Sequence, residues 1–249
     1  MSALMILAIG SVMVATAFLS GIFGMAGGLI LIGILLVLLP LPDAMALHAI
    51  TQMASNGWRA LLWWRHVRLS IVVVYLAGCA LALGAWGLTQ YVPSTPVALL
   101  MLGATPFLVR VLPKNLKPNP ESAPQAVIYG VFCTTLMLLT GVSGPLFDSF
   151  FLGGTLDRRE IVATKSACQL FGHAMKLVYF TALIGQSASV NPLIAAIAIA
   201  ASMLGTSLAR PVLEMLTDQQ YRRWATRMVT GIAGYYLMHG SYLLLLPFF

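Results

Sequence analysis

Long apolar stretches alternate with short polar segments along most of the chain. Several of them approach or exceed the ~20 residues that a helix needs to cross ~30 Å of hydrocarbon. Examples are residues 71–91, 192–209 and 228–247. The stretches are continuous rather than apolar at every second position, which excludes the ten-residue strands of an outer-membrane barrel. The pattern therefore predicts a bundle of membrane-spanning α-helices.

The basic residues predict which loops face the cytoplasm, because Lys and Arg accumulate on that side of a membrane protein. Segments 92–95 and 185–191 carry no basic residue and are assigned to the outside. Four basic clusters mark the inner side: Arg59, Arg65 and Arg68; Arg110, Lys114 and Lys117; Arg158 and Arg159; Arg210, Arg222, Arg223 and Arg227. Connecting these loops predicts six ordinary spans, at residues 44–64, 69–91, 96–112, 160–184, 191–210 and 225–247.

Two further apolar regions, residues 3–40 and 125–155, are each interrupted by glycine. The second begins and ends at cytoplasmic loops, so we expect a broken helical hairpin that enters and returns on one side. The first is expected to do the same from outside. Each half then contains a broken hairpin plus three transmembrane helices, and three crossings reverse the orientation of the next half. We predict a first repeat at 1–112, a cytoplasmic linker at 113–124, an inverted second repeat at 125–249, and two periplasmic termini.

A constant shift of 117 residues superposes the unusual positions of the two halves. It aligns Gly24 with Gly141, Gly27 with Gly144, Gln52 with Gln169, Asn56 with His173 and Arg59 with Lys176. The shift is independent of the loop charges, and both observations indicate an internal duplication.

The glycine interruptions indicate a binding cavity. Residues 20–28 read SGIFGMAGG and residues 140–145 read TGVSGP. A broken helix in lipid leaves backbone groups unpaired, which is tolerated only against protein or a wet cavity, and inverted repeats with broken helices are typical of secondary transporters. The helix that begins after each break offers free N–H groups to an anion. The alternative is that the paired glycines only allow two helices to pack closely.

Two helices carry polar stripes at helical spacing. The stripes contain His48, Gln52, Ser55, Asn56 and Arg59 in the first half, and Lys165, Gln169, Gly172, His173 and Lys176 in the second. A charge at bilayer depth is costly unless it faces a cavity or a partner. The alternative for the amides is that they form hydrogen bonds between helices. The alternative for Arg59 and Lys176 is that their long side chains reach the membrane surface. A histidine side chain can titrate near neutral pH, so His173 is a candidate for a coupling proton.

Asp148 is the acidic residue that lies away from every predicted loop and span end. The first half has Leu31 at the matching position, so Asp148 breaks the symmetry. Three interpretations stay open: it pairs with a buried cation, binds a coupling ion, or faces cytoplasmic water.

Composition agrees with a membrane protein, since 59% of the 249 residues are hydrophobic and 8% are charged. The net charge of +7 lies mostly in short loops, which disfavours nucleic-acid binding. Cys79, Cys133 and Cys168 fall in apolar segments without metal-ligand spacing, so neither a metal site nor a cofactor is expected. The N-terminus lacks the basic region and cleavage site of a signal peptide and is expected to stay in the bundle.

The breaks and the helices after them resemble the sulfite exporter TauE/SafE family of membrane transporters. The resemblance lies in GIFGMAGG, in TGVSGPLF, and in REIVATKSACQLFGHAMKL from Arg159 onwards. It implies transport, usually export, of small anions such as sulfite, sulfoacetate or related organosulfonates across the inner membrane without ATP. Met25 and Ala26 stand where that family often has a denser glycine run, and Ser143 lies inside the second motif.

The leading prediction is therefore a secondary anion transporter that works by alternating access, with H⁺ or Na⁺ as a possible coupling ion. Alternatives are an anion channel, a metal-ion carrier, and an intramembrane enzyme; the last two lack suitable carboxylates, HExxH or GxSxG patterns. Asp148 and His173 are the coupling-ion candidates. The candidate substrate-binding residues are Gly24, Gly27, Gly28, Gln52, Asn56, Arg59, Gly141, Ser143, Gly144, Gln169, His173 and Lys176.

Overall fold

In the computed structural model, residues 3–23, 26–111, 119–151, 155–185 and 188–245 are described, and all their regular structure is helical. The predicted all-α fold is therefore confirmed for this part of the chain. Its α-helices are α1 Ala3–Phe23, α2 Ala26–Leu38, α3 Leu41–Leu62, α4 Leu69–Thr89, α5 Thr95–Val111, α6 Ala123–Thr140, α7 Gly144–Phe151, α8 Arg158–Val178, α9 Pro192–Met215 and α10 Asp218–Leu245. A 3₁₀ turn, Trp64–His66, follows α3, and a π-helical turn, Tyr179–Leu183, follows α8.

Helix ends agree with the predicted spans to within a few residues, except near the fourth basic cluster. There α9 continues to Met215 and α10 already begins at Asp218, so both helices extend beyond the predicted span limits at residues 210 and 225. Arg210 and Arg227 lie on these helices rather than in a loop. The Thr217 hydroxyl accepts from the Gln220 backbone N–H and donates to the Gln220 side-chain oxygen, which starts α10 early.

Three helical segments among the described residues are long and apolar enough to cross a membrane, namely Leu69–Thr89, Ala123–Thr140 and Pro192–Val212. The first and third lie in predicted ordinary spans, whereas the second is α6 of the predicted second hairpin. Neither α3 nor α8 is among the three, although they have 22 and 21 residues. Their polar stripes lower the apolar content, and those stripes face the interior of the bundle.

The chain is interleaved rather than divided into two separate bundles. The four most extensive helix packings are α1 with α9, α4 with α6, α3 with α8 and α5 with α10, and each joins a helix before the linker to one after it. Between α4 and α6, Gly78 and Gly130 bring the backbones so close that a Cβ on either glycine would meet a carbonyl oxygen of the other helix. The hydrophobic core is thus shared by both halves.

Candidate functional site

The second glycine break lies between α6 and α7. Gly141 ends α6 with φ 87°, a left-handed conformation that strongly favours glycine. Its N–H donates to the carbonyl of Met137 at 2.9 Å. The Thr140 hydroxyl donates to the Val142 carbonyl at 2.8 Å, so a side chain replaces one lost backbone partner. The chain turns over three residues and restarts as α7 at Gly144.

The first glycine break lies between α1 and α2. Gly24 and Met25 lie outside the described residues. Gly27, in the first turn of α2, packs so closely on α1 that a Cβ would collide with the Thr16 carbonyl oxygen and with Ser20. Close helix packing, the alternative interpretation of the glycine pairs, therefore applies to Gly27. Gly28 lies beside the Gln52 side-chain amide, with 3.4 Å between that amide and an added Cβ.

A small cavity lies between the two breaks and the polar stripes of α3 and α8. Its volume is about 20 Å³, which is room for about one water molecule. Seven of the predicted substrate-binding residues line it: Gly28, Gln52, Asn56, Ser143, Gly144, Gln169 and His173. Ser20 and Val142 complete the wall. None of these nine residues is acidic, so the described wall offers mainly neutral hydrogen-bonding groups.

Three polar atoms of the cavity wall are buried without a hydrogen-bond partner in the part of the chain that the structure describes: Ser20 Oγ, Ser143 Oγ and His173 Nδ1. Buried polar groups in proteins are nearly always paired, so such groups call for an explanation. Among the described residues one other side-chain atom, Thr134 Oγ1, is in the same state. The unpaired groups are thus concentrated at the cavity, where a ligand with oxygen atoms would satisfy them.

A buried cation stands directly behind the wall. Lys176 has no exposed surface, and its Nζ donates to the Gly141 carbonyl at 2.9 Å and contacts His48 Nδ1 at 2.7 Å. His48 Nε2 lies 3.0 Å from the Gly28 carbonyl oxygen. The His48 ring meets the edge of His173, with 5.5 Å between ring centroids. A continuous set of hydrogen bonds therefore connects one glycine break to the other.

The cation of the first half behaves differently. Arg59 is half-buried, and its guanidinium donates to the Ser20 carbonyl at 3.1 Å, next to the cavity but not in its wall. Asp148 forms an ion pair with Lys165 and does not line the cavity. Of the three interpretations of Asp148, this contact corresponds to pairing with a cation of α8. Its role as a coupling-ion site stays a prediction.

Two residues of the cavity wall, Ser20 and Val142, and His48 behind the wall were absent from the predicted site. Ser20 is the first residue of the glycine-rich segment, so its position next to the first break could have identified it as a wall residue. His48 is on the α3 stripe one turn before Gln52, so its face was known but its partner was not. Val142 carries no polar side chain, and only its position between Gly141 and Ser143 identifies it. Within the part of the chain that the structure describes, no cluster of His, Cys, Asp or Glu is suited to hold a metal ion.

The family model described as sulfite exporter TauE/SafE matches residues 8–237, which is nearly the whole chain. The match includes both glycine breaks, both polar stripes and every residue of the cavity wall. The resemblance predicted from the motifs is thereby confirmed. No curated protein and no solved structure matches the chain.

Proposed function

The chain belongs to the sulfite exporter TauE/SafE family, and on this premise we propose that it is a secondary transporter that exports a small anion across the inner membrane by alternating access. The family and the apolar helices make it a multi-pass membrane protein of an anion-exporting family. Sulfite and organosulfonates such as sulfoacetate are the proposed substrates, because their oxygen atoms match the hydrogen-bond donors at the cavity.

One observation carries this proposal: unpaired polar groups surround a cavity that has a buried ammonium behind it and no acid in its described wall. Ser20 and Ser143 have hydroxyl donors, and the amides of Gln52, Asn56 and Gln169 add N–H groups. The first turns of α2 and α7 also approach this cavity, and helix N-termini favour negative charge. A metal cation would find no negatively charged side chain in the described wall.

We further propose that the two halves are inverted repeats; the 117-residue shift predicts the duplication and the loop charges predict the inversion. Replacing each helix by its counterpart in the other half converts the α1–α9 packing into α6–α4. The same exchange leaves the α3–α8 and α5–α10 pairs unchanged. A pseudo-two-fold axis between the halves accounts for this pattern. Inverted repeats of this kind rock against each other around a central site, which is the basis of alternating access.

The energy for transport is proposed to come from the membrane potential or from an H⁺ or Na⁺ gradient, because the sequence has no Walker motif. A cell-negative potential favours anion efflux by about 2.3 kcal/mol per charge per 100 mV. The inner membrane and periplasmic termini are part of the same proposal. His173 is the proposed proton-binding candidate among the residues of the cavity wall.

Flux measurements on the purified protein in proteoliposomes test this function. We expect sulfite or sulfoacetate efflux that accelerates when the same anion is present on the opposite side. The reason is that a carrier loaded with anion returns to its starting orientation faster than an unloaded one. Efflux without such acceleration would indicate a channel. Carboxylates and sulfate serve as comparison anions. The absence of both sulfite and organosulfonate flux would contradict the proposal.

A further inference from the structure

The contact between Lys176 and His48 is the centre of a buried connection between the two halves. Gly28 and His48 precede the linker, whereas Gly141 and Lys176 follow it. The side chains of His48 and Lys176 have no exposed surface. Neither lines the cavity, but Gly141 is next in sequence to Val142 and Ser143 of the wall, and the His48 ring contacts His173. The ammonium therefore bonds the carbonyl of the residue that directly precedes the cavity wall in sequence.

The contacts of His48 define its tautomer when Lys176 is an ammonium. An ammonium has three donors and no acceptor, so the atom opposite it, His48 Nδ1, must present a lone pair. His48 Nε2 then carries the hydrogen and donates to the Gly28 carbonyl oxygen. A doubly protonated ring would place two donors against each other. Opposite a Lys176 ammonium, His48 is thus a neutral acceptor.

Among the described residues, the hydrogen-bond partners of Lys176 are neutral. The carboxylates whose side chains are described lie elsewhere: Asp148 pairs with Lys165, Glu160 with Arg68, Asp43 accepts from Ser189, Glu121 from Thr155, and Asp157 caps α8. A buried charge without a counter-charge is costly. An anion in the adjacent cavity would supply that counter-charge, and the flexible lysine side chain is able to turn toward it.

We propose that His48 and the Gly141 carbonyl hold the Lys176 ammonium in the empty protein, and that the arriving anion takes the ammonium from them. His48 is then a positioning residue that sets how strongly the anion must compete. The two halves are joined through Lys176 when the site is empty, and this link opens when the site is loaded. This inference rests on the proposed transport of a small anion.

Substitutions of His48 test the competition. His48→Gln keeps an oxygen to accept from Lys176 and an N–H to donate to Gly28, whereas His48→Leu keeps neither. Methanesulfonate and sulfite serve as probes of binding to purified protein. We expect H48L to bind the anion about tenfold more tightly and to turn over more slowly, because an ammonium bond to a neutral acceptor no longer competes. H48Q should stay within about threefold of the unsubstituted protein.

His239→Leu is the matched control, because His239 stacks on Tyr235 in α10 rather than on Lys176. It should leave the dissociation constant unchanged. Unchanged or weaker binding in folded H48L would overturn the inference, and so would equal effects of H48L and H48Q. If no probe binds the unsubstituted protein, the proposed function fails as well. If Lys176→Met loses binding while H48L does not tighten it, only this inference fails.

A measurement without a substitution keeps the inference testable if H48L does not fold. The four histidines can be labelled with ¹⁵N, and H48Q assigns the His48 signals by their disappearance. Saturating methanesulfonate should shift the Nδ1 resonance of His48, because that nitrogen loses its ammonium donor. A His48 Nδ1 signal that does not move while the anion is bound would show that the contact with Lys176 persists, contrary to the inference.

Discussion

The stripes of α3 and α8 place a glutamine and a cation at matching positions, but the two cations lie in different environments. Arg59 and Lys176 occupy matching positions under the 117-residue shift. Arg59 is half-buried and reaches a carbonyl at the end of α1, whereas Lys176 is fully buried and bound to His48 and Gly141. The cationic centre thus belongs to the second half. Matching sequence positions in a duplicated protein therefore do not imply matching roles.

The two glycine breaks also differ, in the physical reason for which glycine is required. Gly27 is required because α1 and α2 approach each other closely, whereas Gly141 is required because the backbone adopts a left-handed conformation. Both pairs have the spacing that permits close helix packing, yet the physical constraint differs. The two described glycines thus meet different constraints: close helix packing at Gly27 and a left-handed backbone turn at Gly141.

The largest expected effect separates the two cations. Lys176→Met should lower anion transport by about 100-fold or more. The substitution removes a charged hydrogen-bond donor, which contributes about 1.5–3 kcal/mol to anion binding, and it also removes the positive charge that balances the anion. Arg59→Gln should lower it only a few-fold. Initial efflux rates from proteoliposomes, with equal amounts of folded protein confirmed by gel filtration, measure both. Equal losses in the two variants would contradict the asymmetry.

Alanine at the break glycines should destabilise the fold in both halves. For Gly27→Ala we expect a loss of about 1–3 kcal/mol, because the new Cβ collides with the Thr16 carbonyl. For Gly141→Ala we expect about 1–2 kcal/mol from the positive φ, with further crowding against Ile32 and Met45. Thermal unfolding in detergent measures the changes.

Gly234→Ala is the control for both, because an added Cβ there meets nothing within 4 Å. Its apparent melting temperature should be unchanged or slightly raised, since alanine favours the helix. A melting temperature of Gly27→Ala equal to that of Gly234→Ala would show that α1 and α2 do not require their close approach.

Ser20 and Ser143 allow the cavity contributions of the two halves to be compared directly. Replacing either by alanine should weaken anion binding by about 2- to 10-fold, the value of a neutral hydrogen bond of about 0.5–1.5 kcal/mol. Stability of the empty protein should not fall, because neither hydroxyl has a partner to lose. Titration of the purified variants with sulfite or methanesulfonate measures the affinity.

Ser55→Ala provides the opposite case. The Ser55 hydroxyl is also buried on α3 but bonds Thr206 Oγ1 at 2.7 Å. Its removal should lower the melting temperature and leave anion affinity nearly unchanged. If Ser20→Ala instead behaves like Ser55→Ala, the unpaired hydroxyls are structural and do not bind the anion.

The smallest expected effect concerns the starts of the two stripe helices. Asp157 caps α8 in a capping box with Glu160, whereas Pro40 begins α3 without a side-chain cap. Backbone N–H groups of Glu160 and Arg159 hold the pKa of Asp157 below its ordinary value. Asp157→Ala should therefore lower the melting temperature by about 1–2 °C at neutral pH.

The pH dependence of this cap has a defined sign. A carboxyl group with a lowered folded-state pKa stabilises above its unfolded pKa, and that stabilisation is lost as the pH falls through the folded value. The difference between the unsubstituted protein and Asp157→Ala should thus disappear in acid. A difference that grows as the pH falls would contradict the capping role.

Much of the site was predictable because it lies on two helices with regular spacing. The stripe of Gln52 and Asn56, and that of Gln169 and His173, follow from residues three to four positions apart on one helix face. Four of the seven predicted residues that line the cavity follow for this reason, and Gly28, Ser143 and Gly144 follow from the glycine breaks. The limits of α9 and α10 were not predictable from charge, because helices extend beyond the hydrocarbon and carry arginines with them.

The sequence by itself determined the class of protein, the glycine breaks and the polar faces, since these depend on composition and on spacing along a single helix. The tertiary structure alone decided that Lys176 meets His48, 128 residues away, and that Asp148 meets Lys165. It also decided which buried hydroxyls remain unpaired. The physical reason is that a hydrogen bond depends on the relative position of two helices to within a fraction of an ångström, and helix periodicity specifies only the direction that a residue faces.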